Sequence, residues 1–312
     1  MESLRLSFNA IAPIFLLMLI GYVIKGIKLV DKKVFDGINK IVFKIFLSTL
    51  LFYNLYSTKT AEIFNLRLIA FAILGTLLVF FAGYFLVMHI AKENPKRGVI
   101  LQAIFRSNYA ILGIPLVEYI CNGVSSGLSS LMVAFVVPCF NVLAVVTLVR
   151  FGGEKVSAKK LLKGIITNPL IIGCVLGMIC LVLHIKFPPI IEKTVIDVSK
   201  IATPLAIIVL GASFSFKSIK GYVREILIAV SARLVFVPLI AITAAALLGF
   251  RGEELACLLV TFGSPVAVSS FAMAQQMGGD ETLAGHVVVI SSAFCLLTLF
   301  VWIFVLSALG LF

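Results

Sequence analysis

The sequence predicts an all-α polytopic membrane protein with ten transmembrane helices arranged as two inverted repeats of five. The first observation is composition, because 61% of the 312 residues are hydrophobic and only 13% are charged. A typical soluble domain has about a quarter of its residues charged, so this composition excludes a cytosolic enzyme and a secreted module. The second observation is the series of apolar runs, and the third is a set of Gly and Pro features that recur along the chain.

The apolar runs define the predicted spans. A transmembrane helix needs about 20 mostly apolar residues, and ten runs between charged residues reach that length. We predict spans at 8–27, 35–57, 66–90, 97–121, 127–149, 164–185, 189–215, 221–249, 253–277 and 282–309. The connections are short and none is polar enough to form a separate domain. The first repeat therefore covers residues 1–150, the linker 151–163 is cytoplasmic, and the second repeat covers residues 164–312.

Lysine and arginine predict how the spans are oriented in the cell membrane. Four alternate connections carry 15 of these residues, whereas the connections on the other side carry 6. The positive-inside rule places the richer side in the cytoplasm and both termini outside. The net charge of +12 is dispersed among these connections rather than gathered in one patch, so we predict no nucleic-acid partner.

Glycine and proline predict the inverted repeat. Three pairs of features recur at offsets of 156, 156 and 150 residues: Pro13 with Pro169, Ser48 with Pro204, and Gly113-Ile114-Pro115 with Gly263-Ser264-Pro265. Because each unit holds an odd number of spans, the second copy is inserted upside down. Corresponding interrupted segments in inverted repeats are typical of a transporter, and they mark its binding site.

The last of these pairs predicts breaks in the fourth and ninth helices. Broken backbone persists in a membrane only where it faces protein or a water-filled cavity. Each break creates the N-terminus of a second half-helix, whose free amides and positive dipole end favour an anion. We predict substrate-binding residues around both breaks: Arg106, Asn108, Tyr109, Gly113, Pro115, Gly263, Ser264, Pro265, Ser269 and Gln275.

The buried arginines differ as candidates, and some of the polar residues can also be interpreted as structural. Arg106 lies too deep in its span to reach water easily, and a buried charge costs at least about 2.5–3.5 kcal/mol, so we expect it to attract anions. Arg233 is a weaker candidate, because Ser231 is its only polar neighbour in the sequence. Asn108 could bind a carboxylate or only the opened backbone. Ser269 and Gln275 could equally pack helices together.

No pattern of chemistry-bearing residues indicates catalysis. The six cysteines lie in or beside apolar runs without CxxC or Cys/His spacing, and no acidic cluster follows a span. We therefore predict no catalytic residues, no cofactor and no metal site.

The chain resembles the auxin efflux carrier family, which includes plant auxin exporters and bacterial organic-acid carriers. The resemblance is strongest at Ser107-Asn108-Tyr109-Ala110-Ile111-Leu112-Gly113-Ile114-Pro115-Leu116, which is similar to the family's asparagine followed by a GxPL element. Weaker matches are Gly37-Ile38-Asn39, Thr167-Asn168-Pro169 and Ala202-Thr203-Pro204-Leu205. The resemblance extends over essentially the whole chain.

The resemblance implies two inverted five-helix repeats whose fourth and ninth helices break and cross at the membrane midplane. It implies that a scaffold moves against a panel of helices in an elevator-like motion. It also implies that Asn108 contacts the substrate carboxylate and that Pro115 and Pro265 mark the two crossovers.

The resulting hypothesis is a secondary active transporter for a small organic anion, such as a dicarboxylate or an auxin-like acid. A close alternative is a sodium-coupled symporter of the related bile-acid type, for which Ser264, Gln275 and Gln276 could supply oxygens. A non-transporting receptor and an intramembrane enzyme are weaker alternatives. The partners are then the anion and the lipid bilayer, while the coupling ion (H⁺ or Na⁺) and a homodimer stay open.

Overall fold

The computed structural model describes residues 2–58, 65–109, 116–118, 120–121, 128–152 and 158–312, and the side chains of residues 2–11, 158–161 and 217 lie outside this description. Its α-helices are α1 (Glu2–Gly26), α2 (Lys32–Ile41), α3 (Leu47–Tyr56), α4 (Leu66–Ile90), α5 (Asn94–Phe105), α6 (Leu128–Phe151), α7 (Ala158–Ile166), α8 (Pro169–Val182), α9 (Pro189–Ser213), α10 (Val223–Ser231), α11 (Val237–Leu247), α12 (Gly252–Gly263), α13 (Ser269–Gln276) and α14 (Glu281–Ala308). One π-turn (Val42–Phe46) joins α2 to α3, a second (Ala232–Phe236) joins α10 to α11, and a 3₁₀ turn (Phe216–Gly221) precedes α10. The helix α7 begins inside the stretch predicted as a linker.

The described helices are apolar over lengths that suit a bilayer. Five continuous stretches are long and apolar enough to cross it: Leu66–Ile90, Leu128–Phe151, Pro189–Ser213, Val223–Leu247 and Glu281–Ala308. Two shorter apolar helices are Ala12–Gly26 and Pro169–Val182. These seven stretches match seven of the ten predicted spans. The others are the second, fourth and ninth spans, of which the fourth and ninth are interrupted. The chain is an all-helical polytopic membrane protein.

Short polar side chains set where several helices begin. Asn65, Asn168 and Asp280 precede α4, α8 and α14, and the side chain of each accepts a hydrogen bond from a backbone amide in the first turn. These amides have no partner within their own helix, so the cap satisfies them. Pro169 occupies the first position of α8, where its missing N–H costs nothing. The Asn168-Pro169 pair is therefore a helix start.

The helices pack as two groups. The first, called the panel, contains α1, α2, α3, α8 and α9; α1 packs along α9, and α3 packs along α8 and α9. The second, called the core, contains α4, α5, α6 and α10 to α14. Within the core, α5 packs against α4, α6, α10 and α14. The half-helix α5 therefore lies inside the core, whereas the panel contributes the opposite wall of the space between the groups.

Four glycines, Gly21, Gly173, Gly177 and Gly211, allow the panel helices to approach closely, and Gly21 and Gly177 illustrate how. A Cβ atom added at Gly177 of α8 would lie 2.6 Å from the Phe52 carbonyl oxygen on α3. A Cβ atom added at Gly21 of α1 would overlap the Ile208 carbonyl of α9. Both neighbours are backbone atoms that cannot rotate away. Small residues at such contacts are typical of helix packing in membranes, where close backbone approach gives van der Waals contact.

The two interrupted helices meet at their breaks. The half-helices α5 and α12 each contain 12 residues, and the chain leaves the helical conformation directly after each of them. Ser107 and Val266 then form an antiparallel β-bridge. The Asn108 amide donates a hydrogen bond to the Pro265 carbonyl oxygen at 2.9 Å. We call residues 106–108 and 264–268 the junction.

The break in the ninth span lies where the sequence predicts it, and in the fourth span the described half-helix ends before the chain reaches the GxP element. Ser264 is extended (φ −69°, ψ 157°), as expected for a residue that precedes Pro265. In the fourth span the helix ends at Phe105, ahead of Gly113 and Pro115, which lie outside the described residues. The short polar side chains that follow α5 compete with the helix for backbone hydrogen bonds, and the extended segment finds its partner across the junction.

Candidate functional site

A small cavity lies between the junction and the panel. Its volume is about 40 Å³, which is close to the space that one water molecule occupies. Its lining combines three residues at or next to the junction with six from the panel: Asn108, Val268 and Ser269, and Leu47, Leu50, Leu51, Leu170, Thr203 and Ala206. The cavity is therefore polar where the backbone is broken and mainly apolar opposite. It lies at the boundary between the two helix groups.

Asn108 lines this cavity and has an unused hydrogen-bond donor. Its side chain is only 4% exposed, and no atom of the described residues accepts a hydrogen bond from its Nδ2. The backbone amide of the same residue is held by the Pro265 carbonyl. Leaving a buried donor unsatisfied costs about 1–3 kcal/mol, so the arrangement favours a ligand that accepts this hydrogen bond.

Arg106 places a buried positive charge beside the same site. Its guanidinium donates to Asn141 Oδ1 at 2.6 Å and to Ser269 Oγ at 2.9 Å, and it contacts the sulfur of Met273. None of the ion pairs found among the described residues includes Arg106. Since Ser269 is the first residue of α13, the charge lies next to a helix N-terminus, and both favour an anion.

Asn141 was not identified from the sequence. It lies in the middle of α6, accepts the bond from Arg106, and donates through Nδ2 to Cys174 Sγ of α8 at 3.6 Å. The contact links the core to the panel directly behind the cavity. A buried polar residue in an apolar span was the available signal, because such residues in membrane helices mark functional sites.

The remaining candidates occupy different places. Gly263 ends α12, and the carbonyl of Ser264 accepts a hydrogen bond from Arg233. Tyr109 is fully buried and does not line the cavity. Gln275 lies at the other end of α13 from Ser269. The structure thus brings Arg106, Asn108, Pro265 and Ser269 together, leaves Gln275 apart from them, and does not describe Gly113 or Pro115.

Comparison with known sequences identifies the family. The family model described as "Membrane transport protein" matches residues 6–303. The chain belongs to this membrane transport protein family. An uncharacterized transporter of Methanocaldococcus jannaschii is 26% identical over 305 residues, which cover 95% of this chain and 98% of that protein. An uncharacterized transporter of Methanothermobacter thermautotrophicus is 23% identical over 303 residues, which cover 96% and 98% of the two chains. The resemblance to auxin efflux carriers is confirmed, because this family includes them.

This membrane transport protein has a second polar cluster, in which Gln275 ties the panel to the core. Gln275 Nε2 donates to Asp36 Oδ1 at 3.0 Å and to Glu281 Oε2 at 2.8 Å. Its Oε1 accepts a hydrogen bond from Asn39 Nδ2. Lys32 and Glu281 form an ion pair at 3.2 Å, and the Glu281 carboxylate raises the pKa of Lys32 through this hydrogen bond. We call these five residues the Gln275 network.

The Gln275 network closes one end of the space between panel and core. A cavity of about 190 Å³ lies beside it, lined by Lys32 and Asp36 of the panel and by Glu281 of the core, among others. Since α2 contributes three members of the network and α13 and α14 contribute the other two, the two helix groups cannot separate here without breaking these bonds. Gln275 is thereby assigned to a contact between helix groups.

We expect the Gln275→Leu substitution to loosen this closure without weakening ligand binding. Leucine keeps the volume but removes three hydrogen bonds, so a cysteine introduced at Ser213, which lines the larger cavity, should react faster with a water-soluble maleimide. The matched control is Gln276→Leu, because Gln276 makes no side-chain hydrogen bond to the described residues. Equal labelling rates in both variants would contradict a closing role for the network.

Proposed function

We propose that this membrane transport protein is a secondary active transporter for a small organic anion, and that it binds the anion at the junction. The single observation that carries this proposal is the buried, unpartnered Nδ2 of Asn108, a residue that lines the junction cavity. The Arg106 guanidinium and the N-terminus of α13 add positive potential beside it. A carboxylate is acceptor-only and charged, so it suits all three groups.

The lining of the cavity favours a monocarboxylate with a small apolar remainder over a dicarboxylate. Across from Asn108, the panel offers Leu47, Leu50, Leu51 and Leu170. A second carboxylate would lose its hydration against these leucines without gaining a partner, and burying an unpaired charge is costly. Of the two substrate types suggested by the sequence, an auxin-like acid therefore fits the lining better.

We propose that transport proceeds by an elevator-type movement of the core against the panel. A cavity of about 40 Å³ is smaller than an auxin-like acid, so the site has to open for such a substrate to enter. It lies between the two helix groups, and relative movement of these groups is the simplest way to enlarge it. The junction belongs to the core and would carry the bound anion along.

Helix boundaries support the inverted repeat on which this movement depends. Asn94–Phe105 and Gly252–Gly263 begin and end 158 residues apart (252 minus 94, and 263 minus 105). Leu66–Ile90 and Val223–Leu247 each contain 25 residues and are offset by 157. The close contacts of Gly21 with residue 208 and of Gly177 with residue 52 are related by an offset of 156. We propose ten spans in two halves of opposite orientation, with both termini outside the cell.

Uptake into proteoliposomes tests the proposed function. We expect saturable uptake of labelled small monocarboxylates such as indole-3-acetate or a short branched-chain acid, and competition by succinate that is at least about tenfold weaker because its second charge is not matched. Liposomes without protein control for passive diffusion of the protonated acid. Absence of saturable flux with every carboxylate tried, with and without sodium and across both directions of a pH gradient, would refute the proposal.

A further inference from the structure

Arg233 occupies the point where two half-helices end. Its side chain has no exposed surface and extends from the π-turn between α10 and α11. Nε donates to the Ser264 carbonyl oxygen at 2.7 Å and Nη2 donates to that of Thr261 at 2.8 Å. Nη1 lies 3.4 Å from the carbonyl oxygens of both Ile104 and Phe105. The sequence interpretation, which saw only Ser231 beside Arg233, was incomplete because all four partners come from distant helices.

These carbonyl groups belong to the C-termini of α5 and α12. The last four carbonyls of a helix lack partners within it, and the helix dipole places partial negative charge there. Two such ends facing each other inside a membrane protein need a cation. No ion pair among the described residues includes Arg233, so its guanidinium is balanced by these helix ends rather than by a carboxylate.

We propose that Arg233 is a resident cation that takes the place of a coupling sodium ion at the junction. In secondary transporters, half-helix C-termini and unwound carbonyls coordinate sodium. Here the guanidinium group of Arg233, which has five N–H donors, bonds the same type of carbonyl oxygens. Unlike a sodium ion, it stays charged and cannot leave the site, because it is part of the chain. The protein therefore has no sodium site at the junction, and its ligand binding proceeds without sodium.

The other oxygens that the sequence suggested for a sodium site are not gathered in one place. Ser264 lies at the junction, and its carbonyl is already bonded to Arg233. Gln275 lies beyond the whole length of α13, and its side chain bonds Asn39, Asp36 and Glu281. Sodium needs several oxygens in one cage, and the helix α13, about 12 Å long, separates Ser264 from Gln275.

Sodium binding to the purified full-length protein in detergent is the first test. Radioactive sodium in a scintillation proximity assay should show no saturable binding, and replacing sodium chloride by choline chloride at constant ionic strength should leave the unfolding temperature unchanged. Saturable sodium binding, or a sodium-specific rise in unfolding temperature, overturns the proposal. Neither measurement needs a transported anion, so this test can fail or succeed independently of the proposed function.

Chemical rescue is the second test. Arg233→Ala should unfold at a lower temperature than the unchanged protein, and guanidinium ion well below denaturing concentrations should restore part of the loss, whereas choline should not. Arg251→Ala is the matched control, because the Arg251 guanidinium also bonds two carbonyls, those of Ala246 and Phe250, but is partly exposed. Rescue that is absent, or equal in both variants, overturns the proposal.

A conservative pair covers the case in which Arg233→Ala does not fold. Arg233→Lys retains a cation of similar length, and Arg233→Met has similar length without charge. The resident-cation proposal expects the lysine variant to unfold at a clearly higher temperature than the methionine variant. Equal unfolding temperatures, or failure of both variants to fold while the Arg251→Ala control folds, would show that packing rather than charge is required at this position and would overturn the proposal.

Discussion

Replacing Asn108 with alanine is expected to weaken ligand binding about 10- to 150-fold while leaving the stability of the unliganded protein unchanged or higher. The side chain of Asn108 makes no hydrogen bond through Nδ2 to the described residues, so its removal breaks no bond of that group and takes away a buried donor without a partner. A hydrogen bond to a charged acceptor contributes about 1.5–3 kcal/mol, which corresponds to an affinity loss of about 10- to 150-fold. Ligand-induced thermal shift and proteoliposome uptake measure this loss.

The control for Asn108→Ala is Ser107→Ala. Ser107 is the adjacent residue, but its hydroxyl points to the Val260 carbonyl oxygen at 3.4 Å, and the β-bridge it forms uses only backbone atoms. This variant should keep its affinity within about twofold. If Asn108→Ala retains its affinity, or if both variants lose it to the same degree, Asn108 does not bind the substrate and the site must be sought elsewhere.

Local signals in the sequence predict the elements of the fold well. Hydropathy predicts seven of the spans as continuous apolar helices, because the requirement for about 20 apolar residues acts on each segment separately. The ninth-span break is predicted for a similar reason, since Pro265 imposes extended backbone on Ser264. Asn168 and Pro169 similarly predict the start of α8. Each of these features depends only on neighbouring residues.

Contacts between distant spans could not be predicted in the same way. Arg233 has no polar neighbour in the sequence except Ser231, yet it bonds carbonyls from two helices that precede or follow it by many residues. Gln275 was assigned to the substrate because it follows the ninth-span break, whereas its partners lie on α2 and α14. Such partners depend on how the helices pack, and a single sequence does not contain that information.

The fourth-span break combines features that the sequence predicts locally with a contact to a distant span that it does not predict. Arg106 was singled out because a charge is costly in a membrane span, and Asn108 because it lies near the predicted break. The structure brings both to the cavity region. The helix α5 ends at Phe105, and the predicted role of Gly113 and Pro115 in the break stays a prediction because both lie outside the described residues. The extended residues that follow are held by a hydrogen bond to the Pro265 carbonyl, a partner that local propensity cannot reveal.

Alanine at Gly21 or Gly177 is expected to destabilise the protein strongly, because each glycine faces a backbone carbonyl of a neighbouring panel helix. A Cβ at either position forces two helices apart along their whole contact, and overpacking of this kind typically costs about 1–3 kcal/mol. Thermal unfolding in detergent should show a clear decrease for each variant. Because the two glycines lie in different helix pairs and face different residues, the double variant should lose about the sum of the two effects.

Gly37→Ala is the matched control for these substitutions, and it should not lower the stability of the protein. Gly37 lies within α2, and a Cβ added there would meet no atom within 4 Å. Alanine is a better helix former than glycine by up to about 1 kcal/mol, so this variant should be as stable as the unchanged protein or more stable. If Gly21→Ala and Gly177→Ala are as stable as Gly37→Ala, the panel helices do not approach as closely as described. The panel would then not be the closely packed wall against which the core is proposed to move.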